Sequence, residues 1–299
     1  MPSIISGSAN GKIILSGEHA GVYGYPMIAG PISKMVTVSI NNDQADHYDK
    51  LFLQLLDIFS KKFNLNLKEL KKLNYQITSD LPRKSGLGSS AAYIGALFRA
   101  LASYFSLTIT KPEFFALLQK SEMIFHGNSS GVDAAIVTSG KFLVFQKKSA
   151  SNPQQKTLFP LALKTLKHTP LYAVYSGSAT ESTKELVDLV ASTTAISARK
   201  KTTLKSIGQI TKKIQTSLEN GIFPFQLIQK NQRLLEGLGV VSLTAQKIIS
   251  KIESIGGVAK ITGAGGVKTG SGYLLAAHLD GEILENFLQS QKWEFFSIF

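Results

Sequence analysis

The segment Pro82-Arg83-Lys84-Ser85-Gly86-Leu87-Gly88-Ser89-Ser90-Ala91-Ala92 has the composition of an anion-binding turn. Gly86 and Gly88 let the backbone turn tightly and leave no side chains in the way of a close approach. Ser89 and Ser90 fall where a helix begins, and serine is a favoured cap there. Free N–H groups in that first turn, with the positive end of the helix dipole, would attract an anion. The same residues would also make an ordinary serine-capped loop. Two nucleotide motifs are excluded. No Gly-Lys-Ser/Thr occurs anywhere, the nearest approach being Gly266-Val267-Lys268-Thr269, and Ala91 stands where a dinucleotide fingerprint has its third glycine.

A second chemistry is conceivable at Gly127-Asn128-Ser129-Ser130-Gly131, which matches the Gly-x-Ser-x-Gly elbow of serine hydrolases. Asp188 and His278 follow in the required chain order. An elbow needs a strand before the serine and a helix after it. Here a helix-like segment precedes and strand-like residues soon follow, so the context is wrong for a nucleophile at Ser129.

The elements that must position these residues can be read from hydrophobic spacing. Strands are expected at 12–16, 35–40 and 75–78, an amphipathic segment over 50–73, and helices over 91–105 and 111–125. A strand at 142–145 closes this half. Residues 147–157 are polar and contain a proline, which makes them the best candidate for a connection between domains. Beyond them come a strand at 171–175 and helix-like segments at 181–218, 225–236 and 242–254. Strands at 259–261 and 271–277 flank a second glycine-rich loop. No internal repeat is present. The pattern predicts two α+β domains, at 1–160 and 161–299, with a cleft between them.

Composition narrows the classes. The chain has 299 residues, enough for one large or two ordinary domains, and no cysteine, which removes disulfides, Cys-ligated zinc and thiolate nucleophiles. The absence of cysteine fits a reducing compartment. No apolar run reaches the ~18–20 residues of a membrane helix, and the N-terminus lacks the features of a signal peptide. A cytoplasmic protein without membrane attachment is expected. The net charge of +13 is spread over lysine pairs such as Lys61-Lys62, Lys147-Lys148 and Lys212-Lys213. Such pairs are typically solvated helix faces, so the charge suits anionic small molecules better than a dedicated nucleic-acid surface.

Three ordered segments carry a family resemblance: Gly11-Lys12-Ile13-Ile14-Leu15-Ser16-Gly17-Glu18-His19-Ala20-Gly21-Val22-Tyr23-Gly24-Tyr25-Pro26, then Gly86-Leu87-Gly88-Ser89-Ser90, then Lys260-Ile261-Thr262-Gly263-Ala264-Gly265-Gly266. Together they resemble the three motifs of the GHMP kinase superfamily. The first is similar to the form found in mevalonate kinases, and the resemblance runs from residue 11 to about 277. A fourth segment, Glu122-Met123-Ile124-Phe125-His126-Gly127-Asn128-Ser129-Ser130-Gly131-Val132-Asp133, fits the same family.

The resemblance implies the GHMP kinase fold, with an N-terminal domain like ribosomal protein S5 domain 2, a ferredoxin-like C-terminal domain and the active site in the cleft. It implies ATP-dependent phosphorylation of the 5-hydroxyl of mevalonate. The alternatives are phosphomevalonate or another alcohol of the superfamily, and remotely a serine hydrolase. By position, Asp133 is the catalytic carboxylate and Lys12 the lysine beside it. Lys84, Ser85, Gly86, Leu87, Gly88, Ser89, Ser90 and Ala91 form the ATP loop. Ser90 and Glu122 are the magnesium ligands. Glu18, His19, Asp133, Thr262, Gly263 and Ala264 face the substrate. A homodimer is a further implication.

This set is chemically coherent. Magnesium typically takes one or two protein oxygens plus phosphates and waters, and phosphoryl transfer needs alignment and charge neutralisation more than covalent help. Asp133 either accepts the proton of the attacking alcohol or orients it. A neighbouring Lys12 would favour its charged form. For His19 and Glu18 the other reading is that they satisfy buried backbone groups. The Thr262–Gly266 loop can be read as a tight strand turn. The stripe Asn231-Gln232-x-Leu234-Leu235-x-x-Leu238-Gly239-Val240 suits core packing as well as substrate recognition. Departures from the family pattern are Lys84 for a glycine, Ser129 for a proline, and Val267 and Lys268 within the last glycine run. Lys84 either contacts phosphate or points to solvent.

Overall fold

The computed structural model describes residues 5–41, 49–82, 85–126, 130–147, 156–160 and 169–299. Its strands are β1 (Ile5–Ser16), β2 (Met27–Asn41), β3 (Asn74–Ser79), β4 (Leu143–Lys147), β5 (Lys156–Pro160), β6 (Leu171–Tyr175), β7 (Val258–Ile261), β8 (Tyr273–Ala277) and β9 (Phe295–Ser297). Its helices are α1 (Lys50–Phe63), α2 (Leu67–Leu70), α3 (Ser89–Tyr104), α4 (Lys111–His126), α5 (Val132–Ser139), α6 (Thr183–Ile196), α7 (Ala198–Glu219), α8 (Phe225–Leu238), α9 (Leu243–Ser254) and α10 (Gly281–Ser290). One sheet has five strands in the order β1-β2-β4-β5 with β3 also on β2; the other has four, β7-β8-β6-β9. Mixed helices and antiparallel pairs make this the expected α+β class. The chain forms two compact units. The first comprises Met1–Gly11, Lys34–Pro82 and Gly88–Gly140, and the second Lys12–Ser33, Arg83–Leu87 and Lys141–Phe299.

The first unit is held by helix faces. In α1, Asp49 accepts a hydrogen bond from the Phe52 N–H at 2.7 Å, and Phe52, Leu55, Leu56 and Phe59 bury one stripe. The helix stops earlier than the 50–73 spacing predicts. Asn64 turns left-handed at φ 52 and Asn66 accepts from the Lys68 N–H to start α2, so short polar side chains break the run. In α3, Ile94, Leu97, Phe98 and Leu101 are buried, with the Phe98 ring 5.3 Å from that of Phe59. Burying a side chain of that size contributes about 1.5–3 kcal/mol. Gly95 lets α3 and α5 approach closely, since a Cβ there would lie 2.4 Å from Cγ1 of Val137. Helix α5 carries Val132, Ile136, Val137 and Thr138, residue types that favour a strand. Packing against α3 and α4 overrides that preference.

In the second unit, β6, β7 and β8 pack Tyr172, Val174, Ala259, Ile261, Leu274 and Ala276 against α7–α10 in one apolar core. The helix expected over 181–218 is two. Ser197 adopts extended backbone, ending α6, and its hydroxyl accepts from the Lys200 N–H at 3.3 Å to begin α7. Hydrophobic spacing gives no sign of β5, α10 or β9. Asp280 caps α10 through the N–H groups of Glu282 and Ile283, and β9 is only three residues long, at the sheet edge beside β6.

Candidate active site

Within the second unit, the first and third sequence motifs are bonded to each other. The Thr262 hydroxyl accepts from the Ile14 N–H at 2.7 Å, and His19 Nε2 lies 3.0 Å from the Ala264 carbonyl. The front of the phosphate loop joins them. Lys12 donates its N–H to the Leu87 carbonyl at 2.8 Å and its Nζ to the Gly86 carbonyl at 3.1 Å, while Tyr273 N–H donates to Ser85. Gly86 has φ +80, and a Cβ there would stand 2.9 Å from the Thr262 carbonyl, so both conformation and space require glycine. Lys12, Thr262, Gly263, Ala264, Ser85, Gly86, Leu87, Glu18 and His19 thus belong to one bonded assembly.

At its centre is a pair that the family resemblance does not single out. Glu18 and Lys260 form a salt bridge with both side chains wholly buried. The Lys260 ammonium also donates to the Ile261 carbonyl at 2.6 Å and the Ile14 carbonyl at 3.4 Å. Glu18 Oε2 is buried with no hydrogen-bond partner among the described residues. Burial pushes the Glu18 carboxyl above its usual range, opposed by Lys260 and, more weakly, by Lys12. Burial likewise pulls Lys260 down, opposed by Glu18. Burial lowers His19 too, despite its bond to Ala264, so the imidazole is held neutral. His19 sits at φ 59 and ψ −41, a sparsely populated backbone conformation that costs a non-glycine residue about 1–3 kcal/mol.

The third loop is stitched by hydroxyls. Ser271 Oγ lies 3.1 Å from Ser242 Oγ and 3.3 Å from the Gly266 carbonyl, and its N–H donates to Ser176 Oγ. At the exposed tip, the Val267 and Lys268 N–H groups donate to Glu181. Burial raises the Glu181 carboxyl somewhat, but a bond from its own backbone N–H, together with these two, outweighs it and holds the group below its usual range. The two departures from the glycine run therefore lie on a turn closed by a carboxylate. In the 231–240 stripe, Leu235, Leu238 and Val240 enter the core, while Gln232 accepts from the Ile261 N–H at 3.0 Å. Asn231 is wholly buried, and its amide has no partner among the described residues.

The first unit carries the other candidates. Ser89, Ser90 and Ala91 form the first turn of α3. Gly88, not a serine, occupies the cap position, and no side chain caps the helix. Glu122 is buried on α4, and Asp133 is half-buried in the first turn of α5. Helices α3, α4 and α5 pack on one another, so the three groups share one scaffold. Lys84 and Ser129 lie outside the described residues.

The hydrolase pattern finds no support in its histidine. His278 Nδ1 accepts from the Asp280 N–H at 2.9 Å and Nε2 lies 3.1 Å from the Ile255 carbonyl, so the ring is bound to backbone. A helix, α4, precedes the serine, as the spacing predicts. The strand-like reading of the residues after Gly131 is corrected, because they form α5.

Among known proteins, a family model described as the GHMP kinases N terminal domain matches residues 50–141. The chain is similar to a mevalonate kinase of Thermococcus sibiricus, 31% identical over 92% of this chain and 90% of that protein. A mevalonate kinase of Thermococcus gammatolerans is 30% identical with the same coverage. Among solved structures, the mevalonate kinase of Methanococcus jannaschii shares the fold with a TM-score of 0.81, at 21% identity over 99% of this chain and 98% of that one. The likeness extends over about nine-tenths of both sequences, so the chain belongs to the mevalonate kinase family of the GHMP kinases.

Proposed function

We propose that this protein transfers the γ-phosphoryl group of ATP to the 5-hydroxyl of mevalonate, giving 5-phosphomevalonate for isoprenoid precursor synthesis. The observation that carries the reading is the similarity to mevalonate kinases over 92% of this chain. The uncapped start of α3 supports it, since N–H groups left without a side-chain cap at a helix N-terminus suit phosphate oxygens.

In this reading the loop Lys84–Ala91 holds the ATP phosphates. Asp133 receives or orients the proton of the attacking hydroxyl, and Lys12 offsets negative charge on the transferring group. Glu18, His19, Thr262, Gly263 and Ala264 form the side of the site that holds the acceptor. Ser90 and Glu122 fit magnesium in kind. Both offer hard oxygen donors on packed helices, and no group of three or more acidic or histidine side chains stands together among the described residues. An ion there would take its remaining ligands from phosphates and water. When bound, magnesium neutralises charge on the β- and γ-phosphates.

The reading also includes domains at 1–160 and 161–299, a cytoplasmic location and a homodimer. No helix among the described residues is long and apolar enough to cross a membrane. ATP turnover measured with mevalonate, phosphomevalonate, galactose and homoserine tests the substrate. Turnover confined to mevalonate is expected. Preference for phosphomevalonate would move the protein to the neighbouring step, and turnover with none of the four would sink the kinase assignment.

A further inference from the structure

We propose that Lys260 is a positioning residue for phosphoryl transfer, the hub through which the first and third motifs hold Lys12, His19 and Thr262 in place. The inference rests on the kinase reading above. A single ammonium, with no exposure to solvent, reaches three acceptors in three different segments: the Ile14 carbonyl on β1, the Ile261 carbonyl at the end of β7, and the Glu18 carboxylate in the turn after β1. Each acceptor adjoins a proposed functional group. Ile14 is two residues from Lys12 on the same strand, and its N–H is bonded to Thr262. Ile261 directly precedes Thr262. Glu18 directly precedes His19, whose ring reaches Ala264.

An ammonium has three protons, and all are used here, so Lys260 has none left for a substrate. Its effect on the reaction is through geometry. A lysine in the otherwise apolar strand Val258-Ala259-Lys260-Ile261 is costly to bury and gains nothing from packing that an aliphatic residue would not. What distinguishes it is the direction and reach of its donors. A small misplacement of reacting groups, on the order of 1 Å, can lower turnover about a hundredfold.

The test compares wild type with Lys260→Met and the double variant Lys260→Met/Glu18→Gln, using thermal unfolding and steady-state kinetics with ATP and mevalonate. Lys260→Met strands the Glu18 carboxylate in the interior and should melt well below wild type. The double variant leaves no unpaired charge, so it should recover most of the melting temperature and carries the test if the single variant does not fold. Its kcat should remain at least about tenfold low, with KM for ATP nearly unchanged, because the bonds to the Ile14 and Ile261 carbonyls are still missing. Recovery of wild-type kcat together with stability would make the pair a packing feature only and overturn the proposal. A loss confined to KM for mevalonate would assign the effect to Glu18 as a substrate contact and overturn it equally. A wild-type protein inactive on mevalonate would overturn the kinase reading itself, an outcome separable from the other two.

Discussion

In the first unit, Glu122 and Asp133 ride on helices whose inner faces are apolar, and those faces supply most of the packing. Asp133 is half-buried in the first turn of α5, while the packing of that helix comes from Val132, Ala134, Ala135, Ile136 and Val137. In the second unit the relation is reversed. Glu18, His19 and Thr262 are themselves the bonds that join the first motif to the third, and Lys12 ties the first motif to the phosphate loop. Function and stability should therefore be separable in one unit and entangled in the other. An apolar helix face tolerates a changed polar residue at its edge, whereas a buried ion pair tolerates no loss of one partner.

The largest expected effect probes the separable side. Asp133→Asn should lower kcat about 10²–10⁴-fold while the melting temperature stays at the wild-type value; a melting temperature that falls with activity would break the contrast. On the entangled side, Glu18→Ala leaves the Lys260 ammonium buried without its counter-ion and should cost about 3–5 kcal/mol in denaturant unfolding. An exposed carboxylate would show almost none of this. Gly95→Val asks whether apolar packing really supports the first unit. Its added carbons must displace Val137 and should cost about 1–3 kcal/mol of stability, with mevalonate turnover per folded molecule retained.

The smallest effect is in pH. Because burial lowers the folded pKa of His19 below its ordinary 6.5, the unfolded chain binds the extra proton first. The stability associated with the neutral ring is present above pH 6.5 and is lost as pH falls below it. His19→Asn removes the titrating ring and should flatten the melting-temperature profile on the acid side of neutrality. An unchanged slope would place the acid sensitivity elsewhere.

Much of the molecule is legible in the chain itself. Alternating and helical spacing marks β6, α3, α4, α8 and α9, because a periodic apolar face is a local property of sequence. The glycine motifs are legible too, since a left-handed turn such as that at Gly86 admits few other residues. The boundaries that escape the pattern are set by single polar side chains. Asn64 and Ser197 interrupt helices whose apolar pattern continues past them, and α5 is helical because α3 and α4 surround it. Sequence alone marks Glu18 and His19 as residues of interest and leaves open whether they serve substrate or buried backbone. Their partners are beyond its reach. Lys260 lies 242 positions from Glu18, and nothing in the spacing of either segment encodes that contact. Local pattern determines which elements form and which turns need glycine; the environment of a buried charge depends on segments brought together only when the chain folds.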